Sequence, residues 1–359
     1  METQLMLASR SRIHEIDGLR GIAILSVIIF HYFIFPFTPF LSKIGLRGVL
    51  MLLAYGVDLF FVISGYLIGS ILLKVEGLSG VGTFYLRRIL RIWPLYYLLL
   101  FLVYSALPDK SMLSNAPYWS FPFFIFNFWE SHGNRIHQAL GPLWSIAVEE
   151  QFYAIGPIIF LALNRKQISF ILVIFTLLSP LLRLVLIYKT DIDIWRFTPA
   201  RIDGICIGLL LSIFLSSTKN VLFVTKRINY FTHFMYLLLV SLIPSIAIIS
   251  NTLWVSFGHS LVVLTFGCVL LVVQVRCFSG QKVRFLNWNI LRYLGLRCYS
   301  IYLFHIFFIF IARTIYDDFI IDIVIASLLN LLFAHLSWRY IETPFIKLGQ
   351  KFSYDHGAR

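Results

Sequence analysis

Apolar runs of about twenty residues, the length that carries a helix across a bilayer, recur along this chain from one end to the other. Ten stand out, at 16–38, 48–73, 90–107, 141–163, 167–188, 197–217, 230–250, 254–275, 297–313 and 319–340. Short polar or basic stretches separate them. Only 13% of the residues are charged and 59% are hydrophobic, whereas soluble globular chains carry about 25% charged residues. The pattern predicts an all-α integral membrane protein of about ten transmembrane helices. No polar region is long enough for a soluble domain, so 1–359 reads as a single transmembrane domain. The aromatic stretch "YWSFPFFIFNFW", 118–129, is too short for a crossing and suits a re-entrant or interfacial segment.

The formal charge of +13 would suggest nucleic acid or acidic partners in a soluble protein. Here the basic residues form no single soluble face, which argues against nucleic acid. They instead sort by side. With ten crossings and both termini in the cytoplasm, 21 Lys and Arg fall on the cytoplasmic side and 7 on the outer side, Arg183 and Arg201 lying inside spans. This is the bias that orients membrane proteins. An eleventh crossing at 118–129 would invert every later loop and destroy it. The four cysteines, Cys206, Cys268, Cys277 and Cys298, include no CxxC pair, so neither a disulfide framework nor a zinc site is expected. The first 18 residues lack the short apolar core and small-residue cleavage site of a signal peptide. The location expected is the bacterial inner membrane, multi-pass.

Ionisable residues inside such spans are costly and point to function. The first span, "RGIAILSVIIFHYF", opens on Arg20 and holds His31 eleven residues later. That is close to three turns, so both lie on one face about 16 Å apart along the axis. The third, "FYLRRILRIWPLYY", places Arg88 and Arg91 at i,i+3, on one face with Arg87. Such a cluster can grip phosphate through the planar guanidinium fork or simply anchor topology. "LGPLWSIAVEEQFYAIGP" buries Glu149 and Glu150 about ten residues inside the fourth crossing, with Phe152 and Tyr153 following Glu149 on its face. One glutamate could instead balance Arg183 or Arg201. Arg201 and Asp203 differ by about 200° around a helix and so address different neighbours. Asp58, His305 and Glu342 are further intramembrane candidates. His233, His259 and His335 read as packing. No HxxxH or HxxE spacing joins His31 to His305, and no metal is expected.

Together these motifs resemble the acyltransferase 3 family of integral membrane proteins. "IDGLRGIAILSVIIFHYF", "GVDLFFVISGYLI", "FYLRRILRIWPLYY", "GPLWSIAVEEQFY", "RIDGICIG", "YSIYLFHIF" and "WRYIETPF" run in family order from 16 to 346. The resemblance implies acyl transfer, most often of acetyl, from acetyl-CoA to a hydroxyl of a surface carbohydrate, lipid-linked or assembled, such as lipopolysaccharide O-antigen or exopolysaccharide. It makes Arg20 and His31 the signature pair and Arg88 and Arg91 the pair that meets CoA, and it puts Glu149, Arg201 and Asp203 on recurrent polar positions. The form expected is the stand-alone one, without a C-terminal esterase-like domain. Catalytic roles are therefore expected for His31, Glu149, Arg201 and Asp203, and donor-binding roles for Arg20, Arg88 and Arg91, with Asp58, Tyr153 and His305 as further candidates.

The chemistry suits this layout. A sugar hydroxyl is a poor nucleophile near neutral pH, and histidine is the natural general base. Arg201 or Tyr153 could stabilise the oxyanion. An acyl-histidine intermediate is the rival route. Two other classes stay open: a transporter of an acyl group or glycan intermediate serving a separate transferase, which lacks the expected inverted repeat, and a non-catalytic scaffold.

Overall fold

A computed structural model describes residues 14–37, 40, 43, 47–106, 115–134, 136–248, 251–315 and 318–352. Both chain termini, and with them their expected cytoplasmic placement, lie outside the described residues. The fold is all-α and multi-pass. Among the described residues, seven helical stretches are long and apolar enough to cross a membrane: His14–Ile34, Arg47–Leu72, Gln138–Ala162, Arg165–Lys189, Trp254–Phe278, Cys298–Ile315 and Phe319–Gln350; a bent pair raises the number to eight.

In chain order the helices are α1 (His14–Ile29), α2 (Arg47–Met51), α3 (Gly56–Leu72), α4 (Gly77–Ala106), α5 (Phe126–Ser131), α6 (Leu143–Ala162), α7 (Arg165–Lys189) and α8 (Asp203–Leu215). They continue as α9 (Thr218–Lys226), α10 (Ile228–Ile248), α11 (Asn251–Leu253), α12 (His259–Phe278), α13 (Asn289–Leu296), α14 (Cys298–Ile315), α15 (Phe319–Ser337) and α16 (Thr343–Gln350).

Two departures from the sequence reading have local causes, while the aromatic stretch stays too short to cross. The third span begins at Gly77, not near 90, because the helix runs on through the polar turns that carry Arg87 and Arg88. The sixth apolar run is not one helix. Pro199 sits in a 3-10 turn at Thr198–Ala200, α8 starts only at Asp203, and α9 leaves it at 97°. The stretch 118–129 holds a 3-10 turn at Tyr118–Ser120 and the start of the six-residue α5, with no helix of crossing length.

Among the described residues three π-helical turns interrupt the apolar helices, at Phe30–Ile34, Trp254–Gly258 and Trp338–Glu342. Each inserts a residue into the helical ladder, a distortion common at functional sites. Here each contains or directly precedes an ionisable residue named above: His31, His259 and Glu342.

The chain resolves into two compact units. The first comprises residues 1–70, 169–189 and 202–296. Its helices approach through small residues, the usual device where burial in lipid gives no hydrophobic drive. A Cβ on Gly21 would collide with the backbone of Leu291, and one on Gly295 with that of Asp17, so α1 and α13 lie backbone to backbone. Gly65 and Gly208 do the same for α3 and α8, against Ile205 and Val62. Leu19, Ala23, Val62, Ile63, Val263 and Leu270 fill the core around these seams. The second unit comprises residues 71–168, 190–201 and 297–359. Aromatic packing dominates it: Tyr96 lies against Phe124 with centroids 4.4 Å apart, and Phe304 against Phe333 at 4.2 Å.

Candidate active site

In the first unit, α1 carries Arg20, half-buried, and its π-helical continuation carries His31, also half-buried. The His31 ring stands edge-on to Phe30 at 5.0 Å. Phe30 and Ile34 pack against Leu50, Met51, Leu53 and Ala54, which seats the π turn. His31 Nδ1 lies 2.9 Å from the carbonyl oxygen of Val27, one turn back. A carbonyl only accepts, so Nδ1 carries the proton and donates it. In the neutral ring the lone pair is then on Nε2.

Deeper in the same unit lies a charged cluster that the sequence does not announce. Arg183 of α7 donates from Nη2 to Asp203 Oδ2 at 2.9 Å and from Nε to the Ser256 carbonyl at 2.9 Å, and it also bonds Ser260. Ser260 donates to the same Asp203 oxygen at 2.8 Å. His259 Nε2 is 3.2 Å from Asp58 Oδ1 and 3.9 Å from Asp203 Oδ1. Arg183, Asp203, Asp58 and His259 are at most 2% exposed. His259, which the sequence reads as packing, therefore faces the buried carboxylates of Asp58 and Asp203. The π turn at Trp254–Gly258 was the missed structural signal, and periodicity alone does not reveal it. Asp203 Oδ2 thus accepts from both Arg183 and Ser260.

In the second unit, α4 brings the arginines. Arg88 packs over the Phe84 ring at 5.9 Å. Arg87 donates to the carbonyl of Gly349 at 3.2 Å and to that of Phe352, closing the C-terminal end of α16, where a cation meets the negative end of the helix dipole. Arg91 is half-buried on the same helix. The two glutamates of α6 have separate partners. Tyr153 donates to Glu149 Oε2 at 3.2 Å, the i,i+4 pair the spacing predicts. The Trp93 indole donates to Glu150 Oε2 at 3.1 Å, while Glu150 Oε1 is shut off from solvent with no hydrogen bond. Tyr299 donates to the Ile92 carbonyl at 2.6 Å, beside Pro94 inside α4.

Arg201 is 2% exposed, its guanidinium 5.2 Å from the Trp144 ring and 4.9 Å from the Trp195 ring. A closed set of hydrogen bonds leads into it. Asn127 donates to Thr198 at 2.8 Å, Thr198 to Gln151 at 2.7 Å, and Gln151 to Asn127 at 2.8 Å. Gln151, which follows the two glutamates, was not singled out from the sequence. His305 is fully buried, its Nδ1 donating to the Tyr302 carbonyl at 2.6 Å. Glu342 accepts from Ser337 at 3.1 Å. Outside the spanning segments, Glu130 pairs with Arg196 at 2.7 Å, and burial pushes its carboxyl up to about 7 against the pull of that arginine. No group of three or more His, Cys, Asp and Glu residues that could hold a metal ion occurs among the described residues.

The expected residues thus divide between the units. Arg20, His31, Asp58 and Asp203 belong to the first; Arg88, Arg91, Glu149, Tyr153, Arg201 and His305 belong to the second.

Comparison with known proteins agrees with the resemblance. A family model described as an acyltransferase domain matches residues 13–339. A Staphylococcus aureus (strain COL) protein named "Putative O-acetyltransferase" is 31% identical over 94% of this chain. The "Putative peptidoglycan O-acetyltransferase YrhL" of Bacillus subtilis (strain 168) is 28% identical over 92% of it, and the "O-acetyltransferase OatA" of Staphylococcus aureus (strain NCTC 8325 / PS 47) 27% over 94%. The match covers 58%, 54% and 57% of those proteins' own lengths. No solved structure matches. With the family model covering almost the whole chain, this membrane protein belongs to the acyltransferase 3 family.

Proposed function

We propose that the chain is an O-acyltransferase of the bacterial inner membrane. It moves an acyl group, acetyl in the first instance, from acetyl-CoA on the cytoplasmic side to a hydroxyl of a surface polysaccharide such as lipopolysaccharide O-antigen or exopolysaccharide, whether lipid-linked or already assembled. The observation that carries this is the His31 hydrogen bond: Val27 fixes the ring as the Nδ1–H tautomer and leaves the basic nitrogen as Nε2. Nε2 takes the hydroxyl proton as the sugar oxygen attacks the thioester carbonyl. The C–S bond breaks and the thiolate leaves, taking the proton back. The overall exchange is ester for thioester, with free thiol as second product.

In this reading Arg88 and Arg91 hold the phosphates of the donor and Arg20 orients it. Arg201 serves as a hydrogen-bond donor to developing negative charge, with Tyr153 as the alternative. Glu149 acts on the acceptor, and Asp203 acts through its ion pair with Arg183 rather than by direct proton transfer. His305 supports the site. The ten-crossing arrangement with cytoplasmic termini belongs to the same proposal, since the cytoplasmic charge bias would place the arginines where acetyl-CoA is available. The relatives named as O-acetyltransferases support the reaction class. That one of them is named for peptidoglycan supports a carbohydrate acceptor.

The test is transfer by the purified protein in lipid nanodiscs, given acetyl-CoA and surface glycan. Wild type is expected to release free thiol and add acetyl mass to the glycan. His31→Ala should lose 10²–10⁴-fold in rate, about the worth of general-base help. A folded wild-type protein that transfers nothing on its own would leave the transporter reading in place.

A further inference from the structure

The buried charges of the first unit connect to His31 through a short run of contacts. His259 grips α3 at its start: Nε2 is 3.2 Å from Asp58 Oδ1, and the ring lies 5.4 Å from that of Tyr55. Between those two residues stands Gly56. It faces α1 so closely that a Cβ there would be 2.6 Å from the Ala23 carbonyl oxygen, 3.0 Å from Ser26 Cβ and 3.1 Å from Val27 Cγ2. Val27 supplies the carbonyl that holds His31 Nδ1. On its other side His259 is set by Asp203 at 3.9 Å, which Arg183 and Ser260 hold in turn. Four helices, α3, α7, α8 and α12, meet in this cluster.

We propose that His259 is a positioning residue: by fixing Tyr55 and Asp58, it seats Gly56 against the α1 turn whose Val27 carbonyl orients the His31 ring. The proposal rests on the reading of His31 as the base. The cost of misplacement is large, since an error of about 1 Å in a reacting group can slow a reaction 10²-fold. The arrangement also gives the two π turns of this unit one purpose. One sets the His31 ring at the end of α1, and the other brings His259 into line with Asp58 at the start of α12.

The experiment combines 15N NMR of the His31 imidazole in nanodiscs with the transfer assay. The variants are His259→Leu, His259→Gln and Gly56→Ala. His259→Leu should shift the His31 Nδ1 resonance and cut transfer at least 10-fold, with acetyl-CoA affinity within twofold of wild type. His259→Gln keeps a polar side chain facing Asp58 and should recover part of the transfer. Gly56→Ala perturbs the same link with His259 intact and should move the same resonance, which keeps the test open if His259→Leu does not fold. An unmoved His31 resonance in a folded His259 variant overturns the proposal, as does a loss of transfer that only tracks loss of folded protein. A shifted resonance with wild-type transfer upholds the positioning contact and overturns the catalytic reading of His31.

Discussion

Adjacent side chains on a helix point about 100° apart, and Glu149 and Glu150 show what that does to two like residues. Glu149 meets Tyr153 on its own helix; Glu150 meets Trp93 of α4. The first contact was legible as an i,i+4 spacing. The second was not, because its partner lies 57 residues away in sequence and nothing local encodes that meeting. Glu149→Gln should keep donor binding and abolish transfer to glycan; if it instead lowers the melting temperature and leaves specific transfer intact, Glu149 only balances charge. Trp93→Phe removes the single observed donor to Glu150. Leaving a buried acceptor unpaired costs about 1–3 kcal/mol, so a lower melting temperature in nanodiscs is expected, with Glu150→Leu in the same background restoring part of it. The arginines separate likewise. Arg87 is committed to the carbonyls of Gly349 and Phe352, so the double variant Arg88→Ala, Arg91→Ala should weaken CoA binding with the fold retained, and binding to wild type should fall with salt as a phosphate contact does. Unchanged affinity in that variant would demote both residues to topology anchors.

At the scale of helices, the sequence marks where apolar runs lie but not where a helix bends or how closely two approach. Those depend on a partner backbone. Polarity at Arg87 and Arg88 suggests a helix starting near 90, but the helix over 77–106 carries both arginines without breaking. The run 197–217 was read as one span because hydropathy is blind to Pro199 and to the Asn127–Thr198–Gln151 bonds that hold the turn before α8. Glycine shows the same limit. Gly65 and Gly82 look alike in sequence, but a Cβ on Gly65 would run into the Ile205 backbone whereas one on Gly82 would meet nothing within 4 Å. Gly65→Ala should therefore destabilise by about 1–3 kcal/mol, the cost of overpacking a fitted contact. Gly82→Ala, inside α4 and exposed, should be neutral or stabilising by about 0.5–1 kcal/mol, as alanine suits a helix better than glycine. Equal melting shifts for the two variants would refute the backbone contact.

For the molecule as a whole, the class was legible and the threading was not. Hydropathy announces a multi-pass helical protein because each span must satisfy its own backbone in lipid, yet among the described residues seven or eight helices pass on length and composition where the sequence predicts ten runs. Charge adds what hydropathy lacks. Ser79 precedes the third expected crossing and Gln281 follows the eighth, so six crossings separate them and the two share a side. An eleventh crossing at 118–129 would put them on opposite sides. That stretch holds short helical pieces, and in the proposed ten-crossing arrangement, with its 21-to-7 distribution of Lys and Arg, the shared side would be the cytoplasm. Ser79 and Gln281 are both exposed, so single cysteines there can report directly. In a background with Cys206, Cys268, Cys277 and Cys298 changed to alanine, both should resist an impermeant thiol reagent in intact cells and react once the cells are opened. A cysteine at Ser114 should react in intact cells. Labelling at 281 with 79 still shielded would make the number of crossings between them odd, and the ten-crossing arrangement would give way to one in which 118–129 crosses or one of the expected spans between them does not.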